Sequence, residues 1–400
     1  METDANLESG IRSACHPNPS AAAIFRAFLR LGATAFGGPA MVVYIRDLAI
    51  REKGWIDEES FRDGVALCQS LPGATAMQTA AYVGLRARGF RGALAAYVGF
   101  GLPAFLIMVV LSALYREVHG FRVVTSVFQG LQVIVVALVA NAAWSFGRSS
   151  VKGWQDALLA IAAGAYLISG GSPFFSVVGA AACGSLLYPK APGGVSQPAA
   201  VGVTSRRRWL GIGVVVVATV AGLAGLFCID RGLFGMASLM MKVDLFAFGG
   251  GFASLPLLFY EVVEVRGWLD AKTFMDGVAL GQLTPGPIVI TAAFVGYHAA
   301  GLAGALVATV AIFTPSLIVL TATVPYLDRL RHSEVFRKTL RGVLASFVGL
   351  LLAILLRFGM GVTWSTASVV IGALAFLALR LRVDILWVVF GGIFASAVLL

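Results

Sequence analysis

Gln282-Leu283-Thr284-Pro285-Gly286-Pro287 interrupts an apolar segment, and Gln69-Ser70-Leu71-Pro72-Gly73 interrupts a matching segment about 212 residues earlier. A second pair of interruptions keeps the same spacing, with Phe36-Gly37-Gly38-Pro39 in the first half and Phe248-Gly249-Gly250-Gly251 in the second. Two halves of one apolar chain that repeat their helix-breaking residues indicate a duplicated transport unit.

Composition places this unit in a membrane. Hydrophobic residues make up 58% of the 400 residues and charged residues only 12%, which excludes an ordinary soluble domain. The apolar stretches are about 20 residues long, enough to cross a bilayer as helices, and no strand-like alternation is present. The net charge of +10 lies in short loops, so it indicates membrane topology rather than nucleic-acid binding. We therefore expect an all-α polytopic membrane protein.

The spacing of apolar stretches predicts six spans in each half and one extra span between the halves, about thirteen transmembrane helices in total. The predicted spans lie near 23–45, 63–85, 92–115, 123–146, 153–170, 172–188, 209–229, 234–259, 275–297, 300–325, 338–357, 364–380 and 383–400. The corresponding domains are a disordered cytosolic tail (1–20), a first repeat (21–188), a linker with the extra helix (189–230) and a second repeat (231–400).

An odd span between the halves predicts that the repeats have inverted topology. Loop charges agree, since Arg86, Arg88 and Arg91 follow the second span whereas the equivalent loop 298–301 holds no Lys or Arg. The positive-inside rule then places the N-terminus in the cytosol and the C-terminus outside an inner (cell) membrane. The first loop is discordant, because the basic residues within 46–62 would lie outside.

The interruptions predict a binding site between the halves. Broken helices persist in a membrane only where protein or a watery cavity covers the freed backbone, and a helix that restarts offers unpaired N–H groups and a positive dipole end that bind oxyanions. The alternative is that Pro and Gly only kink or pack the helices. The candidate substrate-binding residues are Arg30, Gly37, Gly38, Gln69, Pro72, Gly73, Lys242, Gly249, Gly250, Gln282, Thr284, Pro285 and Gly286.

Two of these candidates are cations at matched positions. Arg30 and Lys242 each lie six residues before a Phe-Gly-Gly motif, and an ionisable residue at membrane depth indicates function. The alternative is that each reaches towards a lipid headgroup. Asp244 is expected to form an ion pair with Lys242, and a coupling proton is the second role that we consider for it.

Other chemistries lack their sequence signatures. The chain has no GxxxxGK[ST] loop for ATP-driven pumping and none of the HExxH or GxSxG motifs of membrane-embedded catalysis. Its four cysteines and four histidines form no spacing typical of a disulfide framework or a metal site. We therefore expect no enzyme activity, no catalytic residues, no metal and no cofactor, and transport driven by an ion gradient or by the membrane potential.

With these motifs the chain resembles long-chain, two-domain members of the chromate ion transporter family. The resemblance rests on an FGG signature, a GW segment and a Q-x-x-PG or TPGP signature in each half, at Phe36–Trp55, Gln69–Gly73, Phe248–Trp268 and Gln282–Pro287. It covers about residues 24 to 400. It implies export of chromate from the cytosol and chromate resistance, with the basic residue before FGG at Arg30 and Lys242.

The residues themselves leave the substrate open. Sulfate has the charge and tetrahedral shape of chromate, so gradient-coupled uptake of sulfate or another oxyanion is one alternative, and an anion channel is another. The expected partners are chromate or sulfate and the lipid bilayer, with no nucleic acid. The sequence leaves the oligomeric state open, with a homodimer among the arrangements that it allows.

Overall fold

The computed structural model describes residues 19–36, 41–118, 122–188, 206–326, 330 and 333–399. The predictions for the tail before residue 19, for Gly37 and Gly38 and for the linker segment 189–205 lie outside the described residues. Within the described ranges the chain forms fifteen α-helices and no strand. These are α1 (Ala21–Thr34), α2 (Met41–Arg46), α3 (Glu58–Ser70), α4 (Thr75–Val118), α5 (Arg122–Ser150), α6 (Trp154–Ile168), α7 (Pro173–Leu187), α8 (Arg206–Ile229), α9 (Arg231–Phe246), α10 (Ser254–Phe259), α11 (Ala271–Leu283), α12 (Thr291–Thr323), α13 (Glu334–Gly361), α14 (Thr366–Arg380) and α15 (Ile385–Leu399).

The interruptions seen in the sequence are breaks between helices. Ala35 and Phe36 follow α1 in non-helical conformation, and residues 71–74 separate α3 from α4. In the second repeat α9 ends at Phe246, and a 3₁₀ turn, Gly251–Ala253, leads into α10. A second 3₁₀ turn, Ile288–Ile290, leads into α12. Turns of π-helix extend α2 to Glu52 and α10 to Val265. The prediction of broken helices in both halves is confirmed.

An Asp at the same position in both repeats caps the start of the helix before each Pro-Gly break. Asp57 accepts a hydrogen bond from the Ser60 N–H at 2.8 Å, and Asp270 accepts one from the Thr273 N–H at 2.9 Å. These side chains cap α3 and α11, which explains the Asp of the repeated Gly-Trp-x-Asp motif. The Ser60 N–H also lowers the pKa of Asp57, because it stabilises the carboxylate.

The first broken helix in each repeat turns back on itself. The rings of Phe28 in α1 and Trp55 lie 6.4 Å apart, although 27 residues of continuous helix would separate them by about 40 Å. In the second repeat Lys242 Nζ donates to Glu261 Oε1 at 2.9 Å, where a continuous helix would give about 28 Å. In both α1–α2 and α9–α10 the chain therefore turns back and ends near the end of the molecule at which it started, so each pair is a hairpin.

The second broken helix in each repeat also returns. The Tyr82 hydroxyl in α4 donates to the Ser60 carbonyl at the start of α3, at 3.1 Å. A Cβ atom on Gly277 in α11 would lie only 2.4 Å from the Phe294 ring in α12. These contacts join the beginning of one half-helix to the later part of the next, so α3 and α11 form hairpins with the first segments of α4 and α12.

The helices α4 and α12 then reverse direction. Gly89 has a positive φ of 63° and Gly301 one of 60°, a backbone conformation that glycine adopts at little cost. Across the first turn, a Cβ on Gly84 would lie 2.2 Å from the Gly92 carbonyl oxygen. Only glycine allows this close antiparallel approach, which makes a tight connection between the hairpin and the long second segment.

These contacts do not confirm the expected count of thirteen consecutive spans. Four of the predicted spans, near 23–45, 63–85, 234–259 and 275–297, are hairpins that do not cross the molecule. In the described part of the chain, five helices are long and apolar enough to cross a membrane, judged by length and composition, and four shorter apolar helices accompany them. A hydrophobic stretch of about 23 residues with a central break has the same length whether it crosses or returns, so hydropathy could not separate the two cases.

Glycines also bring the two repeats into contact. A Cβ on Gly342 of α13 would lie 2.3 Å from the Ala180 carbonyl oxygen of α7, and one on Gly349 would lie 1.8 Å from the Ala160 carbonyl oxygen of α6. Small residues permit this close helix packing in membrane proteins. As a result α13 of the second repeat lies between helices of the first, which brings Arg341 to Asp156 at the start of α6.

Single-cysteine labelling tests the hairpins. With the native cysteines replaced by serine, Lys53→Cys and Arg91→Cys are expected to react with an impermeant maleimide from one face of the membrane, and Lys272→Cys from the other. All three side chains are exposed. Consecutive spans would instead put position 53 opposite position 91 and put position 272 on the same face as 91, which would contradict the hairpins.

Candidate oxyanion site

The four breaks meet at the centre of the molecule. The Gly73 N–H of the first repeat donates to the Ala247 carbonyl of the second at 2.8 Å, and the Gly286 N–H of the second donates to the Ala35 carbonyl of the first at 3.1 Å. Pro72 and Phe248 also pair as an isolated antiparallel bridge. The two hydrogen bonds join equivalent positions in opposite directions, so each repeat satisfies backbone groups that the other repeat has freed.

We call the contact formed by Gly73 with Ala247 and by Gly286 with Ala35 the crossing. A cavity of about 840 Å³ lies beside it, within the size range of small-molecule sites. Its lining includes residues at the start of each returning helix: 41–43, 74–76, 249–252 and 287–288. The first N–H groups of a helix have no intrahelical partner, and the dipole adds partial positive charge there. Residues at the start of four helices therefore border one cavity.

Side-chain charge has the same sign. The cavity-lining residues that the structure describes include three cations, Lys152, Arg337 and Arg341, and no carboxylate. Arg341 is held by a bidentate interaction with the buried Asp156, at 2.9 and 2.7 Å, and its guanidinium lies 4.3 Å from the ring centroid of Tyr188. This fixed guanidinium and the helix termini favour an anion in the cavity.

A smaller cavity of about 300 Å³ shares Phe146, Ser149, Gly249 and Phe252 with the large one. Its lining carries Asn141, Ser145 and Ser149, spaced four residues apart on α5 and so on one helix face. A Cβ on Gly249 would lie 2.4 Å from the Phe146 ring, so Phe146 packs against the break where the two cavities meet.

The structure brings most of the predicted site residues to this centre. Gln69, Gly249 and Gly250 line the cavity. The hydrogen-bonded crossing contains Pro72, Gly73 and Gly286, with Pro285 buried beside it.

Two polar candidates follow the second Gln-x-x-Pro-Gly motif. Gln282 is buried and its Nε2 has no hydrogen-bond partner in the structure. The Thr284 hydroxyl donates to the Gly281 carbonyl at 2.9 Å, so it is engaged by its own helix. Neither side chain is among the lining residues of the cavity, and both lie at the end of α11 next to the crossing.

The matched cations have different surroundings. Arg30 is exposed on α1 and is not among the cavity-lining residues. Lys242 pairs with Glu261 at 2.9 Å and lies 3.6 Å from the ring centroid of Phe174. The substrate-binding role of both residues stays a prediction.

The expected ion pair between Lys242 and Asp244 is wrong. Residues two apart on a helix point in different directions, so Lys242 reaches Glu261 of the same hairpin. The Asp244 carboxylate instead accepts hydrogen bonds from the backbone N–H and the hydroxyl of Ser316.

Sequence reasoning missed the three cavity cations because it counted Arg337 and Arg341 only as loop charges. Their spacing of four residues on α13 was a usable signal, since it places both on one helix face. No sequence pattern places Lys152 beside them, because that proximity depends on α13 packing against α6.

Comparison with known sequences agrees with this architecture. The profile of a family described as chromate transporter matches residues 22–185 and again 234–397. The chain belongs to the chromate transporter family. No solved structure matches the chain.

Relatives in several organisms are similar over most of their length. An uncharacterized transporter of Methanocaldococcus jannaschii is 42% identical, covering 93% of this chain and 92% of its own. A chromate transport protein of Cupriavidus metallidurans is 32% identical, covering 80% of this chain and 78% of its own. A probable chromate transport protein of Synechococcus elongatus is 30% identical, covering 84% and 83%.

Gly73→Ala is expected to destabilise the crossing. A Cβ there would lie 2.1 Å from the Ser316 hydroxyl oxygen, at a φ of +110°. Gly170→Ala is the matched control, because its φ of +89° is also positive but a Cβ would meet open space. The free energy of unfolding, from denaturant titration in detergent, should fall by about 1–3 kcal/mol more for Gly73→Ala, the usual cost of overpacking. Equal losses would show that the crossing is not tightly packed.

Proposed function

We propose that this protein is a secondary transporter, not an enzyme, that exports chromate from the cytosol and so confers chromate resistance. The observation that carries the proposal is the cavity of about 840 Å³ at which four helix N-termini converge. Its described lining contains three cations and no carboxylate. Such a site favours a small oxyanion. The family membership and the relatives that are named chromate transport proteins support chromate as that oxyanion.

We further propose a membrane arrangement of nine crossing helices and four re-entrant hairpins in two inverted repeats, in an inner membrane. The N-terminus is cytosolic and the C-terminus outside. With hairpins, the loop within 46–62 lies on the same side as 86–91, 206–208 and 329–341, so all the main basic loops are cytosolic. The positive-inside rule then holds for the loop that was discordant under thirteen spans. A homodimer stays a prediction.

In this arrangement the cavity is open to the cytosol. Lys152, Arg337 and Arg341 lie near the ends of helices that face the cytosolic side, and they line the cavity. A dianion in the cytosol would therefore meet three cations before it reached the helix N-termini. Clefts lined by one sign of charge raise the local concentration of the opposite ion.

The opposite route is closed by aromatic packing. Phe358 occupies the position in the second repeat that Phe146 occupies in the first, and it is fully buried. Its ring lies 5.4 Å from Phe259 and 6.2 Å from Phe274. Inverted repeats can exchange their two conformations, so separation of this aromatic cluster would open the outer side while the cytosolic side closed.

The membrane potential supplies enough free energy for export. A dianion that leaves a negative-inside cell gains about 2.3 kcal/mol per charge per 100 mV, hence about 4.6 kcal/mol for two charges. Export of chromate needs no other energy source, although a proton gradient can contribute. Uptake would require cotransported cations, which keeps gradient-coupled sulfate uptake as the alternative, and a channel as the second.

Everted membrane vesicles test the proposal. With an interior-positive potential set by potassium and valinomycin and no pH gradient, we expect saturable accumulation of chromate that collapses with the potential. Accumulation driven only by a pH gradient would contradict export by potential. Chromate–chromate counterflow separates a carrier from a channel, and competition by sulfate reports selectivity. Unchanged chromate sensitivity after deletion of the gene would contradict a role in resistance.

Arg337→Gln and Lys338→Gln provide a matched pair of charge-removing variants. The Arg337 side chain lines the cavity, whereas Lys338 pairs with Glu334 at 3.2 Å and is absent from the lining. Loss of one exposed cation should weaken oxyanion binding by about 1 kcal/mol, roughly fivefold in the half-saturating chromate concentration, and high salt should reduce the difference. Lys338→Gln should match the wild type. Equal effects of both variants would remove Arg337 from the site.

A further inference from the structure

Asp244 is a buried acid at the crossing of the four breaks. Only 1% of the residue is exposed. Its Oδ2 accepts hydrogen bonds from the Ser316 N–H at 2.7 Å and from the Ser316 hydroxyl at 2.5 Å. Its Oδ1 is buried without a hydrogen-bond partner and faces Gly73, since a Cβ on Gly73 would lie 3.0 Å from it.

No cation lies against this carboxylate in the described part of the chain. Lys242 on the same helix pairs with Glu261. From α12 the carboxylate meets Ser316, and from α4 it faces Tyr97, whose hydroxyl donates to the Phe313 carbonyl at 2.7 Å. The described side chains of α8 and of Ser254–Phe259 include no ionisable group except the exposed Cys228, and in the π-helical extension of α10 Glu261 pairs with Lys242 and Glu264 with Arg357. An ionised carboxylate in this position would be an unpaired charge at membrane depth, which is costly.

The first repeat lacks the acid. Its equivalent positions are Gly32 and Ala104 where the second repeat has Asp244 and Ser316. A Cβ on Gly286 would lie 2.7 Å from Ala104 Cβ, which is the apolar counterpart of the contact between Gly73 and Ser316. The crossing is therefore symmetric in its backbone and asymmetric in this one titratable group.

We propose that Asp244 Oδ1 is a proton-binding site that is coupled to oxyanion binding in the neighbouring cavity. Gly73, which faces this oxygen, directly precedes residues 74–76 that line the cavity. An ionised Asp244 opposes a dianion there, and a proton taken from solvent onto Oδ1 removes that repulsion. Proton and oxyanion therefore bind together. A proton that left with chromate would lower the exported charge from two to one, and the membrane potential would still supply about 2.3 kcal/mol per 100 mV. This inference rests on the proposed oxyanion site.

A proton fits this position better than a metal ion does. Ser316 already donates two hydrogen bonds to Oδ2, which leaves one carboxylate oxygen for a ligand. The described residues contain no group of three or more His, Cys, Asp or Glu that could hold a metal. Because Oδ2 already accepts both hydrogen bonds from Ser316, Oδ1 is the oxygen that can take a proton and form an O–H group.

Sulfate affinity as a function of pH tests the coupling. Sulfate is the probe because it stays a dianion between about pH 5 and pH 8, so only the protein titrates. For the wild type in nanodiscs, affinity should fall by up to about tenfold per unit as pH rises, the limit for one proton per anion. Asp244→Asn keeps the shape and the Ser316 hydrogen bonds, so it should bind sulfate with little pH dependence. Replacement of sodium by choline should change nothing.

Asp276→Asn is the matched control. Asp276 is also a buried acid of the second repeat, but Gln132 and Tyr115 each donate to one of its oxygens at 2.8 Å. This variant should keep the wild-type pH dependence. Persistent pH dependence in Asp244→Asn, loss of pH dependence in Asp276→Asn, or sodium-dependent binding would each overturn the proposal.

Infrared spectra of the ligand-free protein separate this inference from the proposed function. A protonated-carboxyl stretch that titrates in the wild type should disappear in Asp244→Asn and remain in Asp276→Asn. Absence of that band would overturn proton binding even if sulfate bound and chromate were exported. Its presence without any oxyanion binding would support the proton site but contradict both the coupling and the proposed function.

Discussion

The pair of backbone hydrogen bonds between the repeats is the constraint on which the rest of the structure depends. Each break frees N–H and C=O groups that lipid cannot satisfy. The Gly73 N–H reaches Ala247 and the Gly286 N–H reaches Ala35, so a break in one repeat is stable only in the presence of the other. Because the four helix ends must meet for this, the returning helices all start at one place, and their N-termini border one cavity.

On this symmetric backbone the side chains are not symmetric. Phe146 lies at an open cavity, whereas its counterpart Phe358 is sealed in an aromatic cluster. In the transport cycle proposed above, this is one of the two arrangements that the repeat allows. A transporter requires two such states of similar free energy, and duplication supplies the second without a new fold. The polar face of α5, at Asn141, Ser145 and Ser149, lies along the open side.

The positions of the breaks could be predicted from the sequence, but the path of the chain through them could not. Pro and Gly at matched positions indicate where a helix stops, and the convergence of N-termini follows from that. Whether the next helix continues or returns depends on long-range contacts such as Phe28 with Trp55, which hydropathy does not contain. One sequence signal did indicate a returning helix. The loop within 46–62 is basic, and the positive-inside rule does not expect a basic loop outside the membrane. Similarly, Lys152 joins Arg337 only through the packing of α13 between helices of the first repeat.

The way in which positive charge is supplied matters for transport. An anion carrier must bind its substrate strongly enough to select it and weakly enough to release it. A fully buried cation would form an ion pair whose separation is costly. Here the cavity is bordered by helix N-termini, each equivalent to roughly half a charge, and by three full cations, Lys152, Arg337 and Arg341. Arg341 is already bound to Asp156, which reduces its pull on the substrate. Under the proposed function, the partial charges of the helix N-termini and the partly neutralised charge of Arg341 would allow a dianion to be held and then released.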